Sequence, residues 1–297
     1  MERLAFYDEI AKNKRKSVFL MFIVFAVFIL LGYVISMATS PENFFFIMII
    51  SIIFSTIYLI ITYNKSAEIA LASVRAKPAS KEYSQYHHSV EGLCLASGIP
   101  KPKLYIMEND SINAFASGKD PEHAVICVTA GALKKLSKQE LEGVLAHELS
   151  HIANYDIRFM TLTAVMVGLI AIISEIFLRS LWFNSFSGGR KEDARLKIVF
   201  LLIGISLAIF APIATMLVQM AISRKREFAA DSTAVKLTRY PLGLSNALKK
   251  IKKDIPMGKI GKSIAPLFMS DPKRKIKTNW FSTHPDLDER IRRLERM

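Results

Sequence analysis

The sequence predicts a mainly α-helical membrane protein with about four transmembrane helices and a smaller α+β domain outside the bilayer. Hydrophobic residues make up 51% of the 297 residues, which is high for a soluble protein. They are concentrated in four long apolar stretches, whereas the polar segments carry strand and helix signals. The formal net charge of +14 suits an anionic membrane surface, and no nucleic-acid-binding motif accompanies it.

Each apolar stretch is long enough, at about 20 residues, to cross the hydrocarbon core as a helix. The first exceeds the apolar region of about 7–15 residues found in signal peptides, so a retained helix is favoured over a cleaved leader. Glu175 and Arg179 fall near the end of the third, where charges are tolerated at the interface or against another helix. The stretches run approximately over Ser17–Ser36, Phe44–Tyr63, Phe159–Phe183 and Ile198–Ile222.

Basic residues place both polar segments on the cytoplasmic side. Lys12–Lys16 precede the first stretch and Arg224–Arg226 follow the fourth, as expected for cytoplasmic flanks. The loop between the third and fourth stretches is also basic, which leaves open that the second hairpin does not fully cross. The chain therefore divides into a first hairpin, the first part of a cytoplasmic domain, a second hairpin and the second part of that domain: 1–63, 64–156, 157–222 and 223–297.

The first cytoplasmic segment predicts short strands followed by a helix. Lys103–Met107 and Ala124–Val128 are predicted strands, with Ile112–Ala116 as a third candidate. Ser137 followed by Glu140 three residues later forms a capping box, which marks the start of a helix. Apolar residues then recur at helical spacing: Leu141, Val144, Leu145 and Leu149.

His147, Glu148 and His151 form an H-E-x-x-H pattern on this helix. Residues i and i+4 lie on one helical face, so both imidazoles can reach one metal ion. A zinc ion so held keeps an open position for water and lowers its pKa, and Glu148 can accept the proton as the water attacks a carbonyl. The pattern also occurs by chance, but here it falls on the amphipathic helix that the chemistry requires. It predicts a metal-dependent hydrolase.

A third protein ligand is needed beside the two histidines. The extension H-x-x-G-x-x-H is absent after His151, so the ligand must come from elsewhere on the same side of the membrane. Glu227 stands directly after the fourth apolar stretch, with Asp231 at i+4 to orient a ligand histidine. A salt bridge of Glu227 with Arg224 or Arg226 is the simpler alternative. Two imidazoles and a carboxylate suit zinc, without excluding another divalent metal.

Four pieces of the sequence, in this order, resemble the HtpX family of membrane zinc peptidases, which is related to the CAAX prenyl endopeptidases. They are Asn113–Ala116, His147–His151 with Asp156, Ser223–Asp231 and Ser282–Pro285. The resemblance implies a zincin-like cytoplasmic domain that holds one zinc ion per chain. It implies these roles: zinc ligands for His147, His151 and Glu227, general base for Glu148, and histidine support for Asp231.

The resemblance also implies two substrate-facing roles. Asn113, Ala114 and Phe115 resemble an edge strand that pairs with the substrate backbone. His284 resembles the histidine that stabilises the oxyanion of the tetrahedral intermediate. The simpler alternatives are a turn residue for Asn113 and a helix-start residue fixed by Pro285 for His284.

The sequence thus predicts a multi-pass zinc endopeptidase of the cell membrane with a cytoplasmic catalytic domain. The expected partners are polypeptide substrates, membrane proteins among them, and the lipid bilayer, but not nucleic acid. The resemblance implies quality control of damaged membrane proteins as part of a stress response. Two alternatives remain, a processing peptidase for one defined substrate and a non-catalytic zinc-binding scaffold; Glu148, which is not a ligand, argues against the scaffold.

Overall fold

The computed structural model describes residues 2–39, 41–166, 224–258, 264–270, 272 and 285–297. This part of the chain is mostly helical and contains one four-stranded mixed sheet, in agreement with the coarse fold prediction. The third predicted membrane stretch beyond residue 166, and all of the fourth, lie outside the described residues. The structure can therefore be compared with the first two of the four predicted membrane crossings.

Helices α1 (Glu2–Thr39) and α2 (Phe44–Ser73) pack against each other and are joined by a short 3-10 turn. Each contains a segment long and apolar enough to cross a bilayer, Ile10–Tyr33 and Phe44–Ser73. The apolar window of α2 is only 6% buried within the described structure, which a core helix of a soluble protein would not tolerate. Its exposed apolar side chains are accounted for if lipid surrounds them.

The sheet has the strand order β1-β2-β4-β3. Strands β2 (Lys103–Met107) and β4 (Val125–Thr129) are parallel neighbours, whereas β1 (Lys77–Pro78) and β3 (Ala114–Ser117) are antiparallel edge strands. The three predicted strands are confirmed, with shifted ends for β3 and β4. Strand β1 was not predicted, because two residues are too few to produce a periodic pattern.

Helix α5 (Lys138–Ala153) lies at the centre of the domain and contacts helices on several sides as well as β3. The predicted capping box is confirmed: Ser137 accepts from the Glu140 N–H, and the Glu140 carboxylate accepts from the Ser137 N–H. Gly143 lets a neighbouring helix cross closely, since a Cβ there would lie 2.6 Å from the Leu244 nitrogen. The other helices are α3 (Ser84–Ser97), α4 (Ala130–Lys135), α6 (156–166), α7 (Arg224–Thr238), α8 (Pro241–Lys253) and α9 (Leu287–Leu294).

Two hydrophobic clusters hold these elements together. One lies between the sheet and helices α3, α5 and α8. The other joins the membrane hairpin to the domain, because Leu20 of α1 and Leu71 of α2 pack in the same cluster as Phe115 of β3 and Phe159 of α6. Parts of the two long apolar helices therefore belong to the packing of the domain.

Candidate metal centre

Helix α5 presents His147, Glu148 and His151 inside the protein. Their exposed fractions are 0%, 2% and 5%, so none of them faces bulk water. The helix ends at Ala153, and Tyr155 then adopts a left-handed conformation with φ of 57°. This conformation is uncommon for a residue other than glycine, and it ends α5 so that α6 begins at the next residue.

The three predicted ligands converge. The Nε2 atoms of His147 and His151 are 3.3 Å apart. One Glu227 oxygen lies 3.6 Å from the His147 Nε2, and its other oxygen lies 3.6 Å from the His151 Nε2. The three ligand atoms all lie within 4.8 Å of one another, although Glu227 is remote in sequence and comes from α7.

A carboxylate orients each histidine from behind. The Nδ1 of His147 lies 3.0 Å from Asp231 Oδ1, and the Nδ1 of His151 lies 3.0 Å from Asp156 Oδ2. An imidazole that donates its Nδ1 proton to a carboxylate leaves a lone pair on Nε2. The Nε2 lone pairs of His147 and His151 then lie close together beside the Glu227 carboxylate. A bound cation would stabilise this arrangement.

The spacing of these atoms fits zinc. Nitrogen ligands at about 2.0–2.1 Å from a tetrahedral zinc ion lie about 3.3 Å from each other. The observed Nε2 separation is 3.3 Å. Two imidazoles and one carboxylate also match the three-ligand sets of catalytic zinc sites, which leave a position open. The residues therefore fit a divalent metal ion of the kind that the sequence predicts.

Arg290 of α9 contacts the carboxylates of the site. The guanidinium is fully buried and forms two hydrogen bonds with Asp231, at 2.9 and 2.6 Å. It also lies 3.5 Å from a Glu227 oxygen and donates to the Met269 carbonyl. One cation thus faces two buried carboxylates, which leaves net negative charge for a metal ion.

These contacts shift the pKa values of the groups involved. Burial raises the pKa of Asp231, but the Arg290 guanidinium and the His147 imidazole together outweigh it, so the pKa of Asp231 lies below its ordinary value. Burial and Arg290 lower the pKa of His147, yet its hydrogen bonds to Asp231 and Glu227 raise that pKa to about 9. In the metal-free site a proton therefore competes for the His147 nitrogen.

Glu148 is arranged differently from the ligands. Burial raises the pKa of its carboxyl group, and the backbone N–H of Ala116 donates a hydrogen bond to it. Its Oε1 is buried and has no hydrogen-bond partner among the described residues. Buried polar atoms are rarely left without a partner, so this oxygen is an acceptor that the described atoms leave open.

The predicted substrate strand lies beside α5, at the edge of the sheet. Asn113, Ala114 and Phe115 are all buried, because residues 264–270 cover them. The Met269 N–H donates to the Ala114 carbonyl at 2.9 Å, and the Asn113 amide bonds to the Ser270 carbonyl at 3.1 Å. A substrate strand that paired with Ala114 would have to replace this hydrogen bond.

Comparison with known proteins identifies the family. Residues 80–297 match the family described as Peptidase family M48. The chain belongs to this family. Over 302 residues it is 43% identical to a protein called Protease HtpX homolog from Dictyoglomus turgidum, covering 100% of this chain and 96% of that protein. A protein of the same description from Caldanaerobacter subterraneus subsp. tengcongensis is 41% identical over 308 residues, covering 99% of each.

Membership of family M48 confirms the predicted resemblance to HtpX and the prediction of a metalloprotease. Among solved structures, the crystal structure of S. mikatae Ste24p is similar, with a TM-score of 0.49 and 20% sequence identity. That similarity covers 97% of this chain and 66% of the Ste24p chain.

Several residues of this M48 site were missed or lie outside the described chain. His284 lies outside the described residues, so its position is not part of the site described here. Asp156 was noted in the sequence but given no role, because its approach to His151 depends on the left-handed turn at Tyr155. Arg290 gave no signal at all, since an arginine in a basic C-terminal helix is expected to be solvated.

Proposed function

We propose that this chain is a zinc-dependent endopeptidase that hydrolyses membrane or membrane-proximal proteins at the cytoplasmic face of the cell membrane. One observation carries the proposal: His147, His151 and Glu227 converge beside Glu148, in a domain whose core includes the ends of two apolar helices. A peptidase built in this way holds its active site against the bilayer. Clearance of damaged membrane proteins is the task that this position favours.

Each residue has a defined part in the proposed reaction. His147, His151 and Glu227 hold the zinc ion, which when bound acidifies a water molecule and polarises the scissile carbonyl. Glu148 accepts the proton of that water and passes it to the leaving amine. The raised pKa of its buried carboxyl group makes it a stronger base than an exposed glutamate.

The substrate is proposed to lie along the outer edge of β3. Ala114 presents its carbonyl on that edge, where Met269 now donates to it. An extended peptide would pair with this edge in the manner of an added strand, guided by Asn113 and Phe115. His284 is proposed to stabilise the oxyanion that develops during attack.

The test is zinc-triggered cleavage of an unfolded test protein by the detergent-purified full chain. Samples of the wild type, Glu148→Gln and Glu142→Gln are prepared in chelator and then given zinc. Glu142 lies on the same helix but bonds to Ser89, away from the metal site, so its variant controls for the amide substitution. Loss of the general base should reduce kcat by about 10²–10⁴-fold, while Glu142→Gln keeps the wild-type rate.

Other outcomes would overturn parts of the proposal. Equal cleavage by wild type and Glu148→Gln would remove Glu148 as the general base. Zinc binding without cleavage in any sample would favour the non-catalytic scaffold. In a second assay the full chain is reconstituted into liposomes together with a single-span membrane protein. Cleavage of an added soluble test protein but not of that membrane protein would argue against membrane proteins as the substrates.

A further inference from the structure

Asn13 lies on the buried face of membrane helix α1, within a basic segment. Its side chain is only 1% exposed, whereas the neighbouring Lys12, Lys14 and Arg15 are exposed. The buried face continues along the helix through Ser17, Leu20 and Val24, at helical spacing. Asn13 is thus the polar end of an otherwise mostly apolar contact surface, and burial of a carboxamide is costly unless it is hydrogen-bonded.

The Asn13 carboxamide is hydrogen-bonded to the segment that supports His151. Its Nδ2 donates to Asp156 Oδ1 at 2.7 Å and to the Asn154 carbonyl at 3.1 Å. The other oxygen of Asp156 lies 3.0 Å from the His151 Nδ1. A continuous hydrogen-bonded series therefore runs from the membrane helix through one carboxylate to a metal-facing histidine.

Helix α1 also holds the turn that places Asp156. The Lys14 ammonium lies 4.5 Å from the centre of the Tyr155 ring, within the range of a cation–π contact. Tyr155 is the residue with the left-handed backbone, a conformation that persists only where the surroundings fix it. Asn13 and Lys14 contact Asn154, Tyr155 and Asp156, so α1 contacts each residue of the turn.

Asp156 has a further cationic neighbour. A guanidinium nitrogen of Arg226 lies 3.6 Å from Asp156 Oδ1, the same oxygen that accepts from Asn13 at 2.7 Å. The Arg226 contact is longer than a normal hydrogen bond and contributes charge rather than direction. Of these two contacts, the short amide hydrogen bond is the one that constrains how the carboxylate is rotated.

We infer that Asn13 is a positioning residue for His151, so that the membrane helix α1 completes the metal site. By fixing Asp156, Asn13 sets the orientation of the imidazole and keeps its Nδ1 proton directed at the carboxylate. The inference rests on the proposed metal site, and its catalytic consequence rests on the proposed function. It makes the membrane hairpin a part of the active site as well as an anchor.

The first experiment compares Asn13→Ala, Asn13→Gln and Ser17→Ala in the full chain purified in detergent. Ser17 is the matched control, because it is equally buried on α1 and, within the part of the chain that the structure describes, its hydroxyl donates to the Asn13 carbonyl of its own helix. Zinc affinity is measured by competition with a chelator, and the visible spectrum is recorded with cobalt in place of zinc. Loss of an outer hydrogen-bond partner lowers metal affinity by about 10-fold or more.

The expected result for Asn13→Ala is about 10-fold weaker zinc binding, an altered cobalt spectrum, and a lower kcat with little change in KM. Asn13→Gln keeps a donor and should recover part of the affinity. Ser17→Ala should match the wild type. Wild-type affinity and spectrum in Asn13→Ala, or the same loss in Ser17→Ala, would overturn the inference.

A double-substitution cycle separates positioning from simple anchoring of the helix. If Asn13 acts through Asp156, Asn13→Ala should change zinc affinity little once Asp156→Ala is present. Additive losses from the two substitutions would assign Asn13 a structural role only. Metal affinity is read without turnover, so the inference is tested even if the wild type cleaves nothing, and a failed inference leaves the proposed peptidase untouched.

Discussion

The two metal-facing histidines have matching supports of different origin. Asp231 holds His147 and is itself held by the buried guanidinium of Arg290, so this half of the site depends on charge. Asp156 holds His151 and takes its shortest hydrogen bond from the neutral amide of Asn13. The first support belongs to the two C-terminal helices α7 and α9, whereas the second reaches the membrane hairpin.

We call Asp231 and Arg290 the His147 half of the site, and Asp156 and Asn13 the His151 half. The difference in their contacts predicts that the two halves respond unequally to substitution. Removal of one partner from a buried ion pair leaves an uncompensated charge, which is far more costly than loss of a neutral hydrogen bond. We therefore expect the His147 half, with its Asp231–Arg290 ion pair, to govern the stability of the folded domain. In the His151 half Asn13 donates the shortest hydrogen bond to Asp156 and Arg226 lies farther away, at 3.6 Å. That half should govern the geometry of the metal site and its link to α1.

The largest expected effect comes from Arg290→Met. This change leaves Asp231 and Glu227 buried without their shared cation, so the free energy of unfolding should fall by about 3–5 kcal/mol. Arg292→Met, an exposed position on the same helix, is the control. The measurement is chemical unfolding of the detergent-solubilised chain. Equal stability of the two variants would show that charge compensation is unimportant in this half.

Removal of the metal should lower the stability that both histidines and their supports provide, because His147 and His151 are both proposed ligands. Zinc at a free concentration of about 100 times its Kd should stabilise the fold by about 2.7 kcal/mol, because it binds the folded site and not the unfolded chain. The readout is the Tm with and without zinc. The shift should disappear in His147→Ala and persist in His88→Ala, an exposed histidine. A zinc-dependent shift in His147→Ala would place the metal elsewhere.

Exchange of each supporting carboxylate for its amide compares the halves directly. Asp231→Asn and Asp156→Asn should each weaken zinc binding by about 10–100-fold. Asp231→Asn should destabilise the fold more, since the fully buried Arg290 then loses its bidentate partner, and the gap should be about 1–3 kcal/mol. The same unfolding assay measures the gap, and a reversed order would contradict the assignment of charge dependence to the His147 half.

The smallest expected loss of stability comes from the N-terminal cap of α5, which supports both histidines. Ser137→Ala removes the N-terminal cap of α5, the helix that carries both histidines, and should lower the free energy of unfolding by about 1 kcal/mol. Zinc affinity of the folded protein should not change, and Ser80→Ala, at an exposed position, serves as the reference. A changed zinc affinity in Ser137→Ala would mean that the cap adjusts the site as well as the helix.

The sequence by itself determined the local parts of this protein. Periodicity and capping signals act over a few residues, and they predicted α5, three strands and the common face of His147 and His151. The position of Glu227 and Asp231 after an apolar stretch also predicted that they lie on the same side of the membrane as His147. The family resemblance was also readable, because the matching pieces are short and ordered.

Only the tertiary structure decided the supports around the site. Asn13 reaches Asp156 across 143 residues of sequence, and Arg290 lies equally far from His147. The hydrogen bond from the Met269 N–H to the Ala114 carbonyl likewise joins two segments that share no local sequence pattern. Periodicity reports which face of a helix is buried, but the partner that the face meets is fixed by packing of distant elements. The two ends of the chain therefore meet at the metal site for reasons that no local pattern carries.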